Sequence, residues 1–225
     1  ENRSAELQKK FPETIFSPEL LTGKNFLLAV KPQTVEKICK DISAMDPQRV
    51  LSIAAGVTTS SMENHLPSGT SVIRAMPNTP AMIGGGMSAI APGMNTSKED
   101  LDWASSILSA VGEVVVVHEN KLDAVTGLSG SGPAYLFLLA EAMTAAGVAN
   151  GLEESVADLL TRQTLFGASS LLSKSGIAPK DLRASVTSPN GTTAAAIGHL
   201  EANGFPALFN QAITKATERS KELGQ

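Results

Sequence analysis

Residues 185–194, Ser-Val-Thr-Ser-Pro-Asn-Gly-Thr-Thr-Ala, gather hydroxyl groups, a proline and the step Asn190-Gly191 directly before a predicted helix. Backbone N–H groups at a helix N-terminus have no intrahelical acceptor, and the helix dipole favours an anion there. The hydroxyls of Ser188, Thr192 and Thr193 can add hydrogen bonds to that anion or to a polar atom beside it. Gly191 allows close approach of backbone to ligand. This is chemistry of holding and orienting, not of attack. The plainer reading is an N-capped helix after a turn. A second polar segment, Gly-Leu-Ser-Gly-Ser-Gly-Pro at 127–133, and a nucleotide-domain pattern upstream favour a ligand.

Further candidates sit where predicted strands end. Ala29, Val30, Lys31 and Pro32 follow one apolar run, and Lys31 could meet phosphate or ribose oxygens, although a solvated surface lysine fits the same position. Ala54, Ala55 and Gly56 end the next run and could expose backbone to the same ligand. Arg74-Ala-Met-Pro-Asn-Thr-Pro80 closes a third, its prolines stiffening a turn that offers Asn78 and Thr79 for hydrogen bonding. Gly84-Gly85-Gly86 loosely matches a dinucleotide fingerprint but precedes a strand instead of following one, so it reads as a turn. Residues 127–132 match neither that fingerprint nor a nucleophile elbow, because position 131 is serine; a packing corner and a ligand loop fit equally. His65, His118 and His199 are scattered without metal-ligand spacing, and neither metal hydrolysis nor a Ser-His-Asp triad is expected. Hydroxyls and backbone donors without a strong acid or base suit a reaction whose reactive group comes from a cofactor.

The elements that must position these residues change character near residue 120. Short apolar runs at 25–30, 50–55, 70–75, 87–91 and 113–117 alternate with helical patterns at 34–45, 59–66 and 98–111, which predicts a largely parallel sheet covered by helices. Helices follow at 133–146, 153–174, from Pro179, at 193–202 and from Pro206 to 223. They are rich in Ala, Gly and Ser and make a thin core, so this half is expected to need a partner subunit. The two domains are placed at 1–120 and 121–225. Of 225 residues, 42% are hydrophobic and 18% charged, and the net charge of −4 with no basic run argues against a nucleic-acid surface. No apolar stretch approaches about 20 residues, so no membrane span is expected. The single cysteine, Cys39, reads as structural, and a cytoplasmic setting fits.

Five segments together carry a resemblance: 29–33, 52–56, 74–81, 123–135 and 188–193. The chain resembles the pyrroline-5-carboxylate reductases over essentially its whole length. That resemblance implies an α/β fold, a Rossmann-like mostly parallel sheet followed by an all-helical dimerisation domain. It implies reduction of pyrroline-5-carboxylate to L-proline with NADPH or NADH, the last step of proline biosynthesis, by a homodimer that in some members assembles into decamers. Carried over by position, Ala29, Val30, Lys31, Pro32, Ala54, Ala55 and Gly56 line the dinucleotide site, with Asn78 near the nicotinamide. Ser188 and the N–H groups of Gly191 and Thr192 hold the substrate carboxylate, and the Thr193 hydroxyl faces the imine nitrogen as the catalytic group. Asn190 stands where many members have glycine. Asn2, Arg3 and Ser4 resemble the segment that meets the 2′-phosphate, and the preceding glycine-loop unit is expected to be missing from this chain. Two other readings stay open: another two-domain NAD(P)-dependent reductase of the hydroxyacid-dehydrogenase kind, with Lys174 or Lys180 as its lysine, or a non-catalytic oligomerisation module.

Overall fold

The computed structural model describes residues 2–224; the side chains of Asn2 and Arg3, both expected to meet a 2′-phosphate, lie outside the described ones. Five strands, β1 (Asn25–Leu28), β2 (Arg49–Ser52), β3 (Ser71–Met76), β4 (Gly86–Pro92) and β5 (Gly112–Val116), form one sheet in sequence order. β1 with β2, β2 with β3, and β4 with β5 pair in parallel. Helices intervene as parallel pairing demands: α2 (Pro32–Ser43), α3 (Thr59–Glu63) and α4 (Lys98–Leu108), after a leading α1 (Asn2–Lys10). The remainder is helical: α5 (Leu122–Val125), α6 (Gly132–Ala149), α7 (Glu154–Ser175), α8 (Pro179–Ser185), α9 (Thr192–Ala202) and α10 (Phe205–Leu223). The expected α/β sheet followed by helices is what the chain forms.

The chain divides into two compact units. One holds the residues up to Arg74 with Pro92–Ala104; the other holds Ala75–Ala91 with Ser105–Gln225. In the first unit α2 begins two residues earlier than its hydrophobic pattern suggests, because Pro32 at its first position already has helical φ and needs no acceptor. Val35, Cys39 and Ile42, spaced three and four apart, turn one stripe of α2 inward. That stripe joins Leu28, Val50, Ala54, Met62 and Val72 in a single buried cluster. Burial raises the Cys39 thiol to about 11, so this cysteine is an inert packing group. Past the end of α2, the Lys24 ammonium donates to the carbonyls of Met45 (3.2 Å) and Asp46 (2.7 Å).

The second unit packs differently. Leu122 sits with Ala89 and Ala91 in a small buried cluster that Met76, Val117 and Val125 flank. Along α6 and α7 only Pro133, Ala157 and Thr161 are buried, although the two helices pack on each other. Their approach is close at Gly147, where a Cβ would lie 3.0 Å from that of Ala157.

One expectation is corrected here and one left open is decided. Glu119–Ala149 is a helical run long and apolar enough, by length and composition, to cross a membrane, and its most apolar stretch is not buried within the chain. A search for uninterrupted apolar residues misses it, since Gly, Ser and Thr break the string while its average stays apolar. Of the two readings left open for residues 127–132, the packing corner is the one formed: Thr126–Gly130 is a π-helical turn that leads into α6. Gly84 to Gly86, by contrast, are the expected turn into β4. Gly84 is left-handed, and a Cβ on Gly86 would stand 2.8 Å from the Val111 carbonyl oxygen.

Candidate active site

In the first unit the chain leaves β1 and β2 at neighbouring carboxyl ends, Leu28 being paired with Ser52. Ligands of parallel sheets bind beyond such ends. Ala29, Val30 and Lys31 are exposed there, and Lys31 is the extended residue that opens α2. On the adjacent strand the Ile53 N–H donates to the Leu28 carbonyl at 3.0 Å, which prolongs the ladder by one step. The Ala54 N–H then turns to the Ser52 hydroxyl at 3.3 Å, and Gly56 is left-handed at φ 79°. The result is an edge of small side chains, Ala54, Ala55 and Gly56, beside one cation. Little side-chain bulk stands over the backbone at this edge, as a flat, extended and anionic ligand requires. Ser4 lies exposed on α1 in the same unit.

The other candidates belong to the second unit. Asn78 follows β3, and both ends of its amide are engaged: Nδ2 donates to the Ser129 carbonyl (3.2 Å) and hydroxyl (3.3 Å), while Oδ1 accepts the Met87 N–H at 2.9 Å. No sequence pattern announces that pairing, which joins residues 51 positions apart. The segment 185–194 is also partly committed. The Ser185 hydroxyl donates to the Leu182 carbonyl (2.8 Å) and the Thr187 hydroxyl to that of Arg183 (2.6 Å), closing the end of α8.

Ser188 to Gly191 then form a tight turn, with the Gly191 N–H donating to the Ser188 carbonyl at 3.0 Å. Asn190 occupies the left-handed position at φ 58°, which glycine and asparagine tolerate best, so asparagine serves where glycine is also suited. A Cβ on Gly191 would collide with the Ser188 hydroxyl oxygen. Gly191, expected to offer its N–H to a carboxylate, instead closes the turn that aims its neighbours. α9 starts immediately after it without a side-chain cap, so the N–H groups of Thr192 and Thr193 are first-turn donors that the helix itself cannot satisfy. Within the described chain the Ser188, Thr192 and Thr193 hydroxyls make no hydrogen bond of their own. Ser188 and Thr192 are exposed and Thr193 is half-buried. Three hydroxyls with no hydrogen bond of their own thus lie within six residues of an uncapped helix start, a set of donors suited to a carboxylate with a polar atom nearby.

Lys174 and Lys180 are exposed at the last turn of α7 and the first turn of α8. Among the described residues no group of three or more His, Cys, Asp and Glu side chains is placed to hold a metal.

Residues 119–223 match the family described as pyrroline-5-carboxylate reductase dimerisation. A pyrroline-5-carboxylate reductase of Methanosarcina acetivorans is 46% identical over 201 residues, which cover 88% of this chain and 74% of the relative. One from Pseudomonas aeruginosa is 45% identical over 202 residues, with the same coverage of both chains. Among solved structures, a pyrroline-5-carboxylate reductase from Coxiella burnetii superposes with a TM-score of 0.87 at 38% identity, over 91% of this chain and 77% of that one. The Plasmodium falciparum pyrroline carboxylate reductase with NADP bound gives 0.80 at 30% identity, over 90% and 78%.

Proposed function

Because this chain belongs to the pyrroline-5-carboxylate reductase family, we infer that it reduces 1-pyrroline-5-carboxylate to L-proline with hydride from NAD(P)H. The observation that carries the reading is similarity across most of both proteins, 46% identity over 88% of this chain and 74% of the relative. The hydroxyacid-dehydrogenase alternative finds no support in Lys174 or Lys180, which are exposed at helix ends.

When bound, the dinucleotide supplies the hydride. The proposed cofactor residues are Asn2, Arg3 and Ser4 toward a 2′-phosphate, Ala29, Val30, Lys31 and Pro32 after β1, and Ala54, Ala55 and Gly56 after β2, while Asn78, after β3, sits near the nicotinamide end. The small strand-end side chains and the Lys31 cation fit an extended anion. Ser188 and the Thr192 N–H hold the substrate carboxylate, with Gly191 shaping the turn between them. The Thr193 hydroxyl hydrogen-bonds the ring nitrogen and fixes the C=N carbon in place. An iminium carries its own proton, so no enzymic base is needed; orientation and electrostatics supply the acceleration. Residues 1–120 form the dinucleotide-binding part of this scheme and 121–225 the substrate and dimerisation part.

The protein works as a homodimer through its helical half, a size that further assembly to a decamer would multiply. The match to the dimerisation family covers Glu119–Ala149 and supports assigning that apolar surface to a second copy of the chain. A cytoplasmic enzyme without a nucleic-acid partner completes the proposal. Oxidation of NADPH and of NADH, followed with and without pyrroline-5-carboxylate and with proline identified as product, tests it. No imine-dependent oxidation with either cofactor overturns it.

A further inference from the structure

We propose that Asn78 is a positioning residue that pins the π-helical turn Thr126–Gly130 to the end of β3 and so fixes the surface beside the nicotinamide. The inference rests on the reduction proposed above. The Asn78 amide ties separate segments of the unit together before any ligand binds, its Nδ2 donating to Ser129 and its Oδ1 accepting the Met87 N–H. Rotating the amide would set its NH₂ against the Met87 N–H, so a single orientation satisfies both partners. The neighbouring contact is equally tight. Met76, two residues earlier, places its methyl carbon 2.6 Å from where a Cβ on Gly130 would lie. One strand end therefore grips consecutive residues of the turn, Ser129 by hydrogen bonds and Gly130 by packing.

The turn needs such support. A π-helical turn is a rare conformation that occurs as a single turn, often where function requires a backbone to be re-aimed. Here it is closed by the Ser131 N–H donating to the Thr126 carbonyl at 2.8 Å. It is held from another direction by the Tyr135 hydroxyl, which donates to the Gly127 carbonyl at 2.8 Å. Gly127 itself lies against α10, where a Cβ would come within 2.5 Å of the Thr217 hydroxyl oxygen. Asn78 is the brace that comes from the sheet, and ligands of parallel sheets gather at the carboxyl ends of strands. Its loss should move the aligned groups without emptying the site.

Three variants of the full chain separate this from a purely structural role. Asn78→Asp keeps the acceptor for Met87 and removes the donor to Ser129. Ser129→Ala removes one of the two acceptors and leaves the carbonyl. Ser220→Ala breaks a comparable 2.7 Å bond, from the Ser220 hydroxyl to the Asp123 carboxylate, elsewhere in the same unit. Misalignment predicts that Asn78→Asp lowers kcat about 10–100-fold while KM for both substrates stays within about threefold. Ser129→Ala should lie between Asn78→Asp and the wild type, and Ser220→Ala should keep wild-type kcat at a similar loss of Tm. Amide hydrogen exchange at residues 126–131 should quicken in Asn78→Asp. Unchanged kcat in Asn78→Asp overturns the proposal, as does a kcat that falls in step with Tm in Ser220→Ala. A rise in KM for NADPH at constant kcat also overturns it, because it would mean direct contact with cofactor. A wild type that reduces no imine overturns the proposed function, and this inference with it.

Discussion

The unit built around α2 and the helices from α6 onward carry apolar residues in comparable runs and use them differently. In the first unit Ile42, Val50, Leu51, Val72 and Ile73 are wholly buried. In the helical half Phe137, Leu138, Leu159 and Phe166 are each more than 60% exposed. A fully apolar helix surface in water is unfavourable at roughly 25 cal/mol per Å², so the second pattern describes an interface waiting for its other side, and the first a finished core. An apolar stripe in sequence therefore predicts burial, but not by whom. Here the match of 119–223 to a dimerisation family points to oligomerisation.

The sharpest way to break that contrast is to charge the exposed face. Ile83, Leu136, Phe137, Ala140, Leu165 and Phe166 line one apolar groove within the second unit. Phe137→Glu combined with Phe166→Glu should leave the fold intact, because both rings already face water in the isolated chain. Self-association should weaken by about 1000-fold or more, as expected when two aromatic anchors are replaced by charges. Sedimentation velocity over a micromolar concentration range reads the change. An unaltered assembly would place the interface elsewhere.

The converse change belongs in the first unit. Ile42→Ala removes a wholly buried side chain from the cluster of α2 with β1 to β3 and should cost about 2–5 kcal/mol. Urea titration measures it, and the assembly state of the folded fraction should not change. If the oligomer dissociated instead, the division of labour between core and interface would be wrong.

A smaller effect is expected at the site. Thr193→Val keeps the shape of the first turn of α9 and removes the hydroxyl assigned to the ring nitrogen. The loss in kcat/KM should be about 10–100-fold, the scale of one or two hydrogen bonds to a partly charged group, with Tm unchanged. Full activity in this variant would remove Thr193 from the mechanism.

The contrast also explains what the sequence revealed and what it hid. Local rules found the elements of the first unit, since Val35, Cys39 and Ile42 repeat at helical spacing and the strands are short apolar runs. The turn at 188–191 was legible as well, from Pro189, Asn190 and Gly191 alone. Two features were not. Asn78 read as a free hydrogen-bonding group because its partner, Ser129, is distant in sequence and carries no pattern of its own. The 127–132 segment read equally as a packing corner or a ligand loop, because glycine along the chain stands for closeness and for flexibility alike. In the fold those glycines are closeness: Gly127 against Thr217 and Gly130 against Met76. Spacing along the chain encodes periodic faces, not which other segment a missing side chain makes room for.

The smallest effect sharpens the comparison from the side of charge. Asp100, in the first turn of α4, is nearly buried and accepts from Arg49 Nε at 2.5 Å, from the Ser97 N–H at 2.9 Å and from the Ser97 hydroxyl at 2.7 Å. The Asp100 N–H returns a bond to Ser97 at 3.2 Å, which makes a reciprocal helix cap. Burial alone would raise this carboxyl, but the bonds from Arg49 and Ser97 outweigh it and hold the pKa at about 2, below its ordinary 3.8. A folded pKa below the unfolded one means the native state favours the ionised form. The resulting stability is complete above pH 4 and disappears as pH falls through about 2. Its size should be about 1–2 kcal/mol once solvent screening is allowed for. Asp100→Asn should be less stable than wild type at pH 7, and the gap should narrow between pH 4 and pH 2. Urea midpoints at those three values measure it. All the partners lie in the first unit, so dimer affinity measured at pH 7 should be the same for both proteins. A variant that weakened association would show that the two regions are not independent in the way their burial suggests.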